Sequence, residues 1–329
     1  TLWHTLSLHD ALPISMNDVT MDKEAIHQWL LEGDVAIQYQ VYRDLLNTDR
    51  NDLRAKIEKE GWGADCLSRQ GANGHWGRKF YQPKWISTHY TLLDLKNLNI
   101  RPENSQIQNT LSIVLENEKG QDGGINPAET IAQSDVCVNG MVLNYASYFG
   151  AGEEKLRSII DFLLSQHMND GGFNCQSNMS GAVHSSLHST VSVAEGIAEY
   201  ARNGYTYRLA ELQNAETASR EFILSHRLYK SDKTGDIIDK KMLLLSYPCR
   251  WRYDILRALD YFQHSGTVYD SRIDDAIEVL INKRRKDGTW PLQGKHPGRV
   301  HFDMEKPGSP SRWNTLRALR VFKYFEISH

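Results

Sequence analysis

Arg252-Tyr253-Asp254-Ile255-Leu256-Arg257-Ala258-Leu259-Asp260-Tyr261-Phe262 is matched in register by Arg312-Trp313-Asn314-Thr315-Leu316-Arg317-Ala318-Leu319-Arg320-Val321-Phe322. Arg, Leu-Arg-Ala-Leu and Phe return at the same places over eleven positions, which chance seldom produces. Looser copies of this segment stand at residues 88–98, 137–148 and 190–200. Working outward, each copy follows a glycine turn: Asn73-Gly74, Asp122-Gly123-Gly124, Asp170-Gly171-Gly172, Thr234-Gly235-Asp236 and Asp287-Gly288. The turns recur about every 50 residues, with one interval of about 64, close to the period of stacked supersecondary repeats. Before most turns lies another helical pattern, such as Leu156, Ile159, Ile160, Leu163 and Leu164, or Ile273, Ala276, Ile277 and Leu280. One unit is therefore an outer helix, a glycine turn, a polar linker and an inner helix. No alternating β pattern of any length is present. A single pair cannot bury both of its faces, so the stack must close or be capped. The expected fold is all-α: an α/α toroid, a barrel of five repeated helix pairs. Residues 22–47 read as two introductory helices broken at Gly33-Asp34, and they supply a sixth pair.

A chain of 329 residues, 40% hydrophobic and 24% charged, has the composition of an ordinary soluble globular protein. Its net charge of -3 gives no electrostatic footprint for nucleic acid or an anionic membrane. No apolar run approaches the roughly 20 residues needed to span a bilayer. The four cysteines, Cys66, Cys137, Cys175 and Cys249, are widely spread without a Cys-x-x-Cys pair. They read as reduced thiols in a cytoplasmic protein, free to be buried or to bind metal. Residues 1–15 lack the basic start and apolar stretch of a signal peptide and read as a non-native leader, with Met16 (or Met21) as the start. Three parts are thus expected: this leader, introductory helices over 16–60 packing on the barrel, and the repeat toroid over 61–329.

Asp170-Gly171-Gly172-Phe173-Asn174, Asp122-Gly123-Gly124-Ile125-Asn126 and Asp287-Gly288-Thr289-Trp290-Pro291-Leu292-Gln293 are rich in Gly, aromatic and Gln residues at the turn. Asn73-Gly74-His75-Trp76-Gly77 is a looser version. Over about residues 61–325 the chain resembles the terpenoid cyclase and protein prenyltransferase superfamily, whose squalene-cyclase-like repeats carry these features. The resemblance implies a toroid with inner helices around a central funnel. The same toroid serves cyclases, transferases, lyases and non-catalytic modules, so it speaks to fold more than to function.

Protein prenyltransferases hold catalytic zinc with an Asp-x-Cys on one inner helix and a later His. Carried onto this chain, that implies Asp135, Cys137 and His188 as metal ligands, with His184 and Cys175 as alternates. Carboxylate, thiolate and imidazole are all zinc ligands, and an open fourth position marks a catalytic site. The competing reading makes Asp135 a helix cap, Cys137 a buried small hydrophobe and the histidines satisfied polar residues. A second cluster joins Arg299, His301, Lys306 and Arg312 to Arg252. If the two repeat copies are equivalent, Arg252 and Arg312 stand at matching heights and suit a diphosphate or carboxylate. Each also has acids nearby with which it could simply pair. Trp76, Trp85, Tyr90, Phe173, Tyr253 and Trp313 are candidates to line an apolar pocket, although core packing asks for the same composition.

The Asp-x-Asp-Asp acid of protonation-driven cyclases and the Asp-Asp-x-x-Asp magnesium motif are both missing; Asp274-Asp275 sits on an outer helix. Three readings follow. The first is a prenyltransferase- or terpene-cyclase-like protein that binds an isoprenoid or similar small apolar molecule in a central cavity, with zinc as cofactor. The second is a carbohydrate-active α/α-barrel lyase or hydrolase, for which Asp65, Asp94 and Asp254 are the only loosely suitable acids. The third is a non-catalytic toroid that binds a ligand. None of them requires nucleic acid.

Overall fold

The computed structural model describes residues 23–128, 132–175 and 180–328. The segment expected to be a leader lies outside the described residues. Helices are the dominant regular structure: α1 (Lys23–Leu31), α2 (Val35–Gln40, continued by a wider turn over Val41–Leu45), α3 (Asn51–Lys56), α4 (Gly61–Leu67), α5 (Thr88–Asn97), α6 (Ser105–Asn117) and α7 (Val136–Tyr148). They continue as α8 (Glu153–Ser165), α9 (Leu187–Arg202), α10 (Leu209–Ser225), α11 (Ile255–His264), α12 (Asp274–Asn282) and α13 (Arg312–Tyr324). The one strand pair among the described residues is two residues long, Trp290–Pro291 against Pro310–Ser311.

Helices α2, α5, α7, α9, α11 and α13 form the inner ring. In sequence, α5 packs on α7, α7 on α9, α9 on α11, and α11 on α13, which returns to α2. The all-α toroid is therefore the observed fold, with the introductory helices contributing α2 to the ring itself. The α7–α9 contact is the tightest: a Cβ on Gly140 would stand 2.7 Å from the Val193 Cα, and one on Gly196 would stand 2.4 Å from the Gly140 carbonyl oxygen. Closure is made by Arg312, whose Nε donates to the Trp29 carbonyl at 3.0 Å while its guanidinium lies 4.5 Å from the Trp29 ring.

The glycine turns explain the period. Gly74, Gly123, Gly171, Gly235 and Gly288 all take positive φ, between 74° and 94°, where a Cβ is disfavoured. Four of the turns are then fastened by one recurring device. The backbone N–H of Trp76, Phe173 and Trp290 donates to the hydroxyl of Thr88, Thr190 and Thr315 on the following inner helix. At Ile125 the acceptor is the Asn139 side chain. Trp76 and Trp290 also donate their indole N–H to the carbonyls of Cys66 and Leu280. All four side chains are buried. Trp76 and Phe173, expected at the ligand pocket, are thus core pegs: the second residue after each of these glycines plugs the gap between outer and inner helix. Asp254 and Ser311 cap α11 and α13 through the N–H groups of Arg257 and Asn314.

Candidate functional site

The inner helices enclose an axial cavity of about 530 Å³. Its wall is built from their C-terminal halves, including Asn97, Asn144, Glu195, Glu199, Asp260, Arg317 and Arg320. The two Leu-Arg-Ala-Leu copies meet here through their second arginine. Arg257 forms a two-point ion pair with Glu195 at 2.8 and 2.7 Å, and Arg317 reaches Asp260 at 3.0 Å. Arg320 also holds Asp260, at 2.6 Å. Burial works against the Asp260 charge, but Arg320 and Arg317 overcome it and hold its carboxyl down at about 2. Glu199 pairs with Lys96 at 3.0 Å. Arg54, Arg202 and Arg250 also line the cavity and have no carboxylate partner among the described residues, so the wall carries cationic charge in surplus.

The floor is formed by Tyr247, Arg250 and Trp313, with the Tyr247 and Trp313 rings stacked 4.5 Å apart. Tyr247 and Arg250 also border a smaller cavity of about 40 Å³ that holds Asp94, His296 and His301. Arg250 takes φ +56°, an unfavourable conformation for a side-chain-bearing residue that signals a constraint worth keeping. Its guanidinium lies 4.6 Å from the Trp85 ring, and its buried Nη1 has no hydrogen-bond partner among the described residues. Asp94, on α5, is buried and its Oδ1 is likewise unpartnered. Burial pushes its carboxyl up to about 6, with Arg250 acting in the opposite direction. The Asn144 Oδ1, Trp313 Nε1 and His296 Nε2 atoms are also buried without partners among the described residues. Buried polar atoms are normally satisfied, so their concentration about one axis is the mark of a polar binding site. His296 and His301 are both held down to about 4, first by burial and then by nearby arginines, and are neutral imidazoles at pH 7.

The residues nominated from the sequence fall into three groups. Near the N-termini of the inner helices, Asp135 precedes α7, and the Cys137 backbone N–H donates to the Cys175 sulfur at 3.0 Å. His188 turns toward Trp251, with ring centroids 5.4 Å apart, and its Nδ1 accepts the Tyr253 N–H at 2.8 Å. His184 is exposed. Among the described residues no group of three or more His, Cys, Asp and Glu side chains is arranged to hold a metal ion. Zinc at Asp135, Cys137 and His188 stays a proposal from the sequence, and no chemistry is derived through a metal. Trp313 lines the axial cavity, Trp85 lines the smaller one, Tyr90 is buried under the Arg250 guanidinium, and Arg252 lies over the Trp251 ring at 5.3 Å. Arg312 lines neither cavity: it is spent on the seam with Trp29, because the helix start that it occupies faces α1 and not the axis. Tyr253 is buried and donates its hydroxyl to the Leu228 carbonyl, which removes it from ligand contact.

Of the three acids considered for carbohydrate chemistry, Asp65 is exposed and Asp254 is engaged as the α11 cap by Ser246 and Arg257. Asp94 alone presents a free oxygen. Arg250, Tyr247 and Asn144 were not singled out from the sequence. Arg250 and Tyr247 lie in a linker outside the repeat pattern, and Asn144 looks like any polar interruption of a buried helix.

No family model and no curated protein matches the chain. Solved structures do resemble it. A glycosyl hydrolase of family 88 from Bacteroides vulgatus superposes with a TM-score of 0.51 at 10% identity, covering 88% of this chain and 89% of that one. A polysaccharide lyase superposes with a TM-score of 0.50 at 12% identity, covering 93% of this chain and 98% of that one. A type II terpene cyclase from Scytonema aligns at a TM-score of 0.33 and 13% identity, over 79% of this chain and 94% of that one. The first two share the α/α toroid fold with this chain. No helix among the described residues is long and apolar enough to cross a membrane.

Proposed function

We propose that this protein is a carbohydrate-active enzyme that takes an acidic saccharide, one bearing a sugar carboxylate, into its axial cavity. The observation that carries the reading is Arg250, which borders both cavities with a buried Nη1 free of partners among the described residues, together with Asp94 in the smaller cavity, a buried carboxyl with a free oxygen on which the Arg250 charge acts. A planar guanidinium fork matches a carboxylate, and the surplus of arginine around the cavity favours an anionic guest. A carboxyl raised to about 6 is suited to proton transfer near neutral pH.

Elimination fits the groups better than hydrolysis. Hydrolysis calls for two carboxylates flanking the scissile bond, and Asp94 has no free companion among the described acids discussed above. In β-elimination Arg250 would neutralise the sugar carboxylate and so acidify the carbon-bound proton beside it. Asp94 Oδ1 would accept that proton. The carbon–oxygen bond to the next sugar then breaks, and the same carboxyl returns the proton to the departing oxygen. The polysaccharide lyase and glycosyl hydrolase with the same fold are compatible with this class of substrate.

The isoprenoid reading, with zinc at Asp135, Cys137 and His188, has less behind it. The cavity wall is charged, and the ring faces of Trp85 and Tyr90 are already covered by Arg250. The deciding experiment is a panel of uronate-containing and neutral polysaccharides, followed by near-ultraviolet absorbance of the unsaturated product. Turnover confined to the acidic members, lost in Asp94→Asn and with KM raised in Arg250→Gln, supports the proposal. Failure of every acidic saccharide to bind in calorimetry would overturn it.

A further inference from the structure

The mouth of the ring near the inner-helix N-termini holds a pair of sulfurs that the reading above does not use. Cys137 lies in the first turn of α7, and Cys175 lies in the linker between α8 and α9, just after the third glycine turn. The Cys137 N–H donates to the Cys175 Sγ at 3.0 Å, and the two thiols bear on each other's charge. Ser189, on α9, donates its hydroxyl to the same Sγ at 3.4 Å. Two donors therefore converge on the Cys175 sulfur, one of them from the start of a 13-residue helix, where negative charge is stabilised. Both residues are half-buried. Cys66 and Cys249 differ: Cys66 is buried, and the Cys249 thiol donates to the Ser246 carbonyl at 3.2 Å.

We propose that Cys137 and Cys175 form a reversible dithiol–disulfide couple, with Cys175 as the sulfur attacked first and Cys137 as the resolving one. The oxidant is a peroxide. The Cys175 sulfur, as thiolate, attacks one peroxide oxygen; a sulfur–oxygen bond forms, the oxygen–oxygen bond breaks, and hydroxide leaves. The Cys137 sulfur then attacks the sulfenic acid. A sulfur–sulfur bond forms, the sulfur–oxygen bond breaks, and the departing oxygen takes the Cys137 proton and leaves as water. A dithiol reductant reverses the bond by exchange. In the oxidised form the α8–α9 linker is tied to the first turn of α7. This inference is independent of the carbohydrate reading, because it uses neither Asp94 nor Arg250.

The test is peroxide titration of the folded protein, then alkylation under denaturing conditions and peptide mass spectrometry. Wild type should fall from four free thiols to two, with a single Cys137–Cys175 peptide cross-link that dithiothreitol removes. In Cys137→Ser the linkage is lost, and a sulfenic acid at Cys175 is trapped by a dimedone probe. Four thiols surviving peroxide, or cross-links to Cys66 or Cys249, overturn the proposal. The wild-type peptide map decides the matter even where a cysteine variant folds poorly.

Discussion

Asp94→Asn should stabilise the protein while disabling it. Burial raises the Asp94 carboxyl from its ordinary value of 3.8 to about 6, so ionising it disfavours the folded chain. The sign follows from linkage: the penalty is absent below 3.8, grows between 3.8 and about 6, and is complete above that. A shift of about two units corresponds to about 3 kcal/mol at pH 8. The same relation leaves roughly half of that at pH 5 and about 0.5 kcal/mol at pH 4. Replacing the carboxyl by an amide of the same shape removes the penalty. For a domain of this size the gain corresponds to about 5 °C in melting temperature at pH 8. Thermal unfolding of wild type and Asp94→Asn between pH 4 and pH 8 measures it directly. Melting curves that differ by a constant amount across that range, or an amide variant less stable at pH 8, would refute the assignment of Asp94 as a buried, uncompensated carboxylate. With it would go the argument for its role in proton transfer.

Other substitutions probe the frame. Gly140→Ala pushes a Cβ against the Val193 Cα at 2.7 Å, and since backbone must yield, a loss of about 1–3 kcal/mol is expected in denaturant unfolding; an unchanged midpoint would contradict the tight α7–α9 approach. Arg312→Ala should lower stability by about 1–2 kcal/mol through loss of its hydrogen bond and ring contact with Trp29. The same variant should leave saccharide affinity unchanged in calorimetry, and weakened binding would return Arg312 to the ligand site. Metal analysis of the purified protein should find zinc well below one equivalent; a full equivalent lost in both Cys137→Ser and His188→Ala would restore the metal reading.

The fold could be read from sequence because its determinants are local and periodic. A glycine with positive φ, a plugging residue and a threonine on the next helix recur in three repeats, with Asn139 in the threonine's place in a fourth, and the recurrence is visible as text. Gly74, Gly171 and Gly288 were legible as turns for that reason. The site was legible only in fragments. Asp94 was on a short list of acids, but nothing in the string distinguishes it from Asp254, which is consumed as a helix cap. Ring closure decides which arginine of each copy meets the axis, and that depends on helix rotation, a property of the assembled barrel. Arg252 and Arg312 looked equivalent by alignment, yet one lies over Trp251 and the other locks a seam. The aromatic residues split the same way: Trp76 and Phe173 serve the repeat, while Trp313 and Trp85 line the larger and the smaller cavity.

The floor made by Tyr247, Arg250 and Trp313 has a bearing on how a polymer would be handled. A ring open from end to end could let a strand thread through and be cut anywhere along its length. On the reading proposed above, those three residues close one end of the larger chamber. Only the end of a chain could be presented to Arg250, and each fragment released would have to back out through the door by which it came. Such an enzyme would shorten polysaccharides stepwise from one terminus, giving small products from the first moments of reaction and little early loss of viscosity.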